Sequence, residues 1–240
     1  MKDLNSLRKK IDTLDSEILK ALSKRAKIAI EIGEIKKENK EKNNLFRPER
    51  QSFILKRLFQ NNEKYLKQSH IFSIWRTIFF SQTELQGDLK VYVLRSATKK
   101  QLEDIITFFG PEKKLQYLRS NKEGFNLLKK DSNSILFLDY PGTKKNSIWW
   151  KNKIFDKLYI NAALPFVLKK NQKPSMVIIS KNKPVIKDDQ ILFYKSNKKN
   201  KLDNMKKIAS SGKLLLLNSK QHIKTNKHKF IGSHPVTLYR

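Results

Sequence analysis

A chain of 240 residues has room for one large domain or two of modest size, each able to bury a core. It has no cysteine, no metal-pair spacing among its four histidines (His70, His222, His228, His234) and no apolar run near the roughly 20 residues of a membrane span; disulfides, thiolate metal sites and transmembrane helices are excluded. The formal charge of +30, most of it beyond residue 87, would suit nucleic acid, but Lys, Asn and Ile are abundant throughout and the aromatic residues are not interleaved with the basic clusters as a stacking platform requires, so nucleic acid is not the expected partner.

The first residues carry no apolar segment of a secretory signal, and a cytoplasmic location is expected. Between residues 4 and 38, Leu7, Ile11, Leu14, Ile18, Ala21, Arg25, Ile28, Ile32 and Ile35 recur in alternating steps of four and three. That spacing predicts one continuous helix, roughly 50 Å long at 1.5 Å per residue. Two shorter helices cannot cover such a seam, and self-association is the expected way to bury it. Residues 39–47 are polar and read as a loop. Pro48 suits the first turn of a second helix with Ile54, Leu55, Leu58 and Phe59 on its apolar face. A loop at Asn61-Asn62 leads to a third helix from about 69 to 85, with Phe72, Trp75, Ile78 and Phe79 inward and Gly87-Asp88 ending it.

Beyond Gly87 the texture changes. Short apolar runs at 89–94, 134–138, 158–164, 176–179, 191–194 and 214–217 read as strands, and 101–109, 123–128 and 202–211 as helices. Alternation of this kind predicts an α/β domain over 88–240 after an all-α three-helix unit over 1–87. Residues 195–207, rich in Lys and Asn, read as a solvated surface segment. Trp149-Trp150 and Leu164-Pro165-Phe166 read as core.

Arg25 occupies a seam position that calls for an apolar residue. A charge there needs an anionic partner, either an acidic side chain in the core or an anionic ligand. Lys36, eleven residues on, returns to within about 20° of the same face, roughly 16 Å along the axis. Two long side chains so placed can converge on a small dianion. Arg8 precedes Arg25 by 17 residues, roughly 26 Å, and cannot meet the same ligand within one chain. It could do so from a second subunit with an antiparallel helix.

The run from Leu7-Arg8-Lys9-Lys10-Ile11-Asp12 through Leu22-Ser23-Lys24-Arg25 to Ile32-Gly33-Glu34-Ile35-Lys36 resembles the first helix of the all-helical chorismate mutase family. Arg47-Pro48-Glu49-Arg50-Gln51 resembles the start of the family's second helix. Ile74-Trp75-Arg76 and Gln82-Thr83-Glu84-Leu85-Gln86 resemble its third. Together, in order and over about 85 residues, these fragments imply an intertwined homodimer that rearranges chorismate to prephenate without metal or cofactor, in phenylalanine and tyrosine biosynthesis. The resemblance also implies roles. Arg8 from the partner subunit and Arg25 bind the two carboxylates of the substrate, and Lys36 and Gln86 donate to the ether oxygen that becomes negative as its bond to carbon breaks. Arg50 and Gln51 orient the ring side, and Gln82 lies near a carboxylate. A Claisen-type rearrangement needs no nucleophile or proton transfer, only a compact reactive conformer and stabilised charge, which suits this set of Arg, Lys and Gln.

Gln51 stands where Glu is common and accepts a bond from the substrate hydroxyl, a task an amide oxygen does more weakly. Arg47 stands where some members have an acid, and the loop before Pro48 is about two residues long relative to compact members. The second domain resembles the degenerate prephenate-dehydratase-like extension of some bacterial mutases. A dehydratase would show Gly-Pro-x-Gly-Thr after its first strand, where this chain has Arg95-Ser96-Ala97-Thr98, and Thr-Arg-Phe where it has Lys173-Pro174-Ser175. Two alternatives stand beside the mutase: pyruvate elimination from isochorismate, which uses the same fold and similar charges, and a non-enzymatic basic binding protein with a decayed site.

Overall fold

The computed structural model describes residues 3–38, 44–63, 65–153, 157–199, 205–223 and 226–239. Helix α1 (Leu4–Glu38) runs as one uninterrupted rod, as its periodicity predicts. Helix α2 (Pro48–Gln60) begins on its proline, whose missing N–H costs nothing in a first turn. Helix α3 (Gln68–Gln86) follows and stops at Gly87, whose φ of 155° suits glycine.

The rest of the chain builds a nine-stranded mixed sheet on β1 (Lys90–Leu94), β2 (Leu115–Leu118), β3 (Ser134–Asp139), β4 (Tyr159–Leu164), β5 (Met176–Ser180), β6 (Gln190–Asn197), β7 (Lys206–Ser211), β8 (Leu214–Ser219) and β9 (His228–Pro235). Their order across the sheet is β2-β1-β3-β5-β4-β9-β6-β8-β7. Strand β1 pairs parallel with β2 and β3, and β4 pairs parallel with β9; the remaining pairings are antiparallel. The parallel corner carries its crossovers as helices, α4 (Lys99–Phe109) and α5 (Asn121–Lys130). Thr98 and Gln101 cap α4 with a reciprocal pair of side-chain bonds, and the Ser120 hydroxyl accepts from the Glu123 N–H at the start of α5. At Gly232 a Cβ would lie 2.2 Å from the Ile160 nitrogen, so only glycine lets β9 come this close to β4.

Three expectations need correction. The helix expected over 202–211 is a strand over Lys206–Ser211; residues 202–204 of that expectation lie outside the described residues. The run of leucines in β8 exposes a ladder of backbone groups, and β7 pairs with it through a hairpin at Gly212, whose φ of 57° suits glycine. Sheet pairing thus overrides a weak local helical preference. The segment 195–207 is not simply solvated: Ser196 and Met205 are buried. Strands β2 and β9 carry no recognisable signal; β2 is only four residues long, with exposed Gln116 and Tyr117 at its centre, and β9 holds two histidines, a glycine and a proline. Trp149 and Trp150 are core residues whose indole N–H groups donate to the Asp139 and Gly142 carbonyls at 2.8 and 2.9 Å.

One apolar cluster joins α2 and α3 to the sheet. Leu55, Phe59, Phe72 and Phe79 belong to the same cluster as Val91, Phe108, Phe137, Leu164 and Ile178. Edge-to-face and tilted rings stitch this junction, Phe46 against Phe108 and Phe59 and Phe72 against Tyr239. The hydroxyls of Ser52 and Thr237 meet at 2.7 Å in its interior. Helix α1 stands apart from this core. It packs on α3 through Ala29 and Gly33, while Ile11, Leu14, Ile18, Ile28 and Ile35 on its seam are each more than half exposed.

Candidate active site

The last turns of α1, the start of α2 and the end of α3 enclose a cavity of about 380 Å³. Arg25, Lys36, Arg47, Arg50, Gln51, Gln82 and Gln86 line it, together with Ile28, Ala29, Ile32, Leu45, Ile54, Phe79 and Thr83. Of the seven site residues expected from sequence, six share this one wall. The seventh, Arg8, is exposed near the other end of α1 and does not line it.

Helix geometry accounts for the gathering. Residues 22, 25, 26, 29, 33 and 36 are the less exposed positions in the second half of α1, so Arg25, read as a seam residue, sits with Lys36 on the packed side of the helix, and Ile28 and Ile32 of the seam border the same cavity. Gly33 sets the depth of the crossing. A Cβ there would lie 2.9 Å from the Gln86 Cα, so a side chain would push the end of α3 away. With glycine, Lys36 Nζ donates to Gln86 Oε1 at 2.8 Å and to the Asn44 carbonyl at 3.0 Å. Gln86 Nε2 donates to the Gln82 carbonyl at 3.1 Å. An ammonium has three N–H groups and an amide nitrogen two, so by count one donor on each is left over for a ligand in the cavity that both residues line.

The electrostatics favour an anion. Among the described residues, four cations line the cavity and no carboxylate does. Burial, and then the neighbouring Arg50, lowers the Arg25 pKa from its ordinary value. Burial also lowers that of Lys36; Arg47 adds to the effect and Glu49 opposes it. An anionic ligand would relieve both groups. Glu49, buried in the first turn of α2, is bonded to Arg47 and so partly balances the charge at the rim. Arg25 lies over the Phe79 ring, 5.8 Å from its centroid, and Arg50 lies over Phe53 at 5.6 Å.

Sequence reasoning missed Glu49, Asn44, Gly33 and Arg76 as parts of the site. Arg76 is the most informative of these. It is buried, and its Nη1 donates to Gln51 Oε1 at 2.6 Å. The amide oxygen expected to accept from a substrate hydroxyl is therefore already engaged. A charged residue in the apolar run Ile74-Trp75-Arg76-Thr77-Ile78-Phe79 was the available signal. Among the described residues no His, Cys, Asp or Glu side chains group in threes as a metal site, and no helix is long and apolar enough to cross a membrane.

Comparison with known proteins bears on the same segment. Residues 7–87 match the family model "Chorismate mutase type II". The chain is 35% identical over 114 residues to a bifunctional chorismate mutase/prephenate dehydratase of Aquifex aeolicus, covering 46% of this chain and 31% of that protein. It is 32% identical over 94 residues to the protein of the same description from Pseudomonas aeruginosa, covering 38% of this chain and 26% of the relative. The matched stretch thus spans less than a third of these relatives' length. A solved structure described as "GqqA- a novel type of quorum quenching acylases" superimposes with a TM-score of 0.43 at 9% identity, over 63% of this chain and 97% of that one. The N-terminal helices thus make up a domain of the chorismate mutase type II kind, similar to bifunctional chorismate mutase/prephenate dehydratases and followed by a mixed-sheet domain.

Proposed function

We propose that this protein rearranges chorismate to prephenate in the cavity between α1, α2 and α3. The observation that carries the reading is the convergence of Arg25, Lys36, Arg50, Gln51, Gln82 and Gln86 on one cavity, with Lys36 and Gln86 in contact at 2.8 Å. Arg25 holds one carboxylate of the substrate in the planar fork that suits it. The free N–H groups of Lys36 and Gln86 meet the ether oxygen, which gains negative charge as its bond to carbon breaks and the new carbon–carbon bond forms. The cavity contributes by selecting the folded conformer and by presenting fixed donors where that charge appears.

The second carboxylate falls to Arg8 of a partner subunit. Supporting this, α1 leaves its apolar seam exposed along a helix of 35 residues, a face that a second copy running antiparallel would cover. The α/β part is read as a dehydratase-like extension without the dehydratase motifs, and its contribution is to support the helices through the shared core.

The test is incubation of the purified chain with chorismate and, separately, with isochorismate, with products identified over time. Prephenate from chorismate supports the mutase. Pyruvate released from isochorismate, with chorismate untouched, would reassign the cavity to elimination. Turnover of neither would sink both readings. The same chorismate reactions should show no protein-dependent phenylpyruvate at neutral pH.

A further inference from the structure

Arg76 is a buried cation whose hydrogen-bond acceptors are all neutral among the described residues. Among the described residues no carboxylate pairs with it, and its burial is complete enough to pull its pKa down to about 9. Its acceptors are neutral. Nε and Nη2 both donate to the Phe108 carbonyl, at 2.7 and 2.5 Å, and Nη1 to Gln51 Oε1. The guanidinium lies 3.6 Å from the centroid of the Phe108 ring, with Phe79 and Phe166 nearby at 5.9 and 5.6 Å. Phe108 is in the last turn of α4, where carbonyls lack helical partners and the helix dipole is negative. The C-terminal end of α4 therefore stands in for the missing carboxylate.

This arrangement fixes Gln51. Arginine has only donors, so the amide must offer it oxygen rather than nitrogen. Turning the amide over would set N–H against N–H and leave a buried cation short of an acceptor, which is costly. We propose that Arg76 is a positioning residue for the mutase cavity: it holds the Gln51 oxygen and so makes position 51 a hydrogen-bond donor toward the bound substrate, with the whole arrangement anchored on α4 of the second domain. This deepens, and rests on, the mutase reading. The amide NH₂ donates to an oxygen of the ring side of the substrate, a contact equal in ground and transition states.

The experiment uses the full chain and a mutant cycle between the two positions. Arg76→Met, which fills similar space among the three phenylalanines, should raise KM for chorismate about tenfold with kcat within about twofold, as loss of one uniform hydrogen bond does. Gln51→Met should do the same, and the double variant should be no worse than either. Losses that multiply in the double variant, or a fall in kcat as large as the rise in KM, overturn the proposal. A second arm does not depend on activity or on Arg76→Met folding well. Gln51→Glu gives Arg76 a carboxylate and should raise the Tm of the wild-type chain; Gln51→Glu in an Arg76→Lys background, where one ammonium cannot span both acceptors, should raise it less. A lower Tm for Gln51→Glu would show that Arg76 does not face position 51. A wild type that turns over no chorismate removes the mutase reading and this role with it, whereas turnover without coupling removes the role alone.

Discussion

Lys36 is the residue on which most of the proposed chemistry rests. Its ammonium is held half-buried by Asn44 and Gln86, and its charge matters most once the ether oxygen becomes negative. Lys36→Ala is expected to lower kcat by about 10²- to 10³-fold, the usual worth of a donor to a developing oxyanion, with a smaller change in KM. Steady-state kinetics on chorismate decide it; a raised KM with normal kcat would assign Lys36 to binding alone. The direction of its pKa gives a second prediction. Burial and Arg47 lower it in the free protein, so the charged form is lost at a pH below the ordinary lysine value. A bound dianion acts in the opposite sense. The alkaline limb of kcat/KM, which reports the free protein, should therefore lie at lower pH than the alkaline limb of kcat. Profiles whose limbs coincide, or fall in the reverse order, would contradict this electrostatic picture. Lys36 was legible because its spacing from Arg25 is a helical one. For Arg76 the sequence offers only a charge within an apolar run, because its partner is a distant carbonyl that no spacing records.

At the level of elements, the crossing of α1 and α3 decides whether Lys36 and Gln86 meet. Gly33 allows that crossing, and the obstacle to a side chain is backbone, the Gln86 Cα at 2.9 Å, which cannot rotate away. Gly33→Ala should cost about 1–3 kcal/mol of stability, read from denaturant unfolding, through overpacking. It should also lower kcat/KM by about ten- to a hundredfold, since a displacement near 1 Å at a catalytic pair has that order of effect. Full activity in a folded Gly33→Ala protein would mean that the α1–α3 spacing does not govern the site. The same element shows the limits of pattern reading. Its periodicity fixes a helix over Leu4–Glu38, but two faces compete for the apolar role, and the smaller one, through Ala29 and Gly33, is the one packed in this chain. In the sheet, β7 was misread as helix because its partner β8, not its own composition, decides its conformation.

Over the whole molecule, the separation of Arg8 from Arg25 makes the proposed site a property of two chains. Arg8→Ala and Arg25→Ala homodimers should each be nearly inactive. Unfolded together and refolded, they should recover about one quarter of wild-type activity, because about half of randomly paired dimers are mixed and each mixed dimer has one intact site. No recovery despite demonstrated subunit exchange would place Arg8 outside the site. Within one chain, α2 and α3 share a core with the sheet, so they are built against the second part rather than merely joined to it. Local periodicity and fixed helix geometry are enough to place the three helices, most strands of the sheet and Arg25 and Lys36 on a common face of α1. Long-range packing alone sets how close α3 comes to α1, that β7 pairs with β8 as a strand, and that the end of α4 reaches Arg76 and through it Gln51. Those depend on contacts between residues far apart in the chain, where packing and the need to satisfy buried polar groups select one arrangement that no local spacing records.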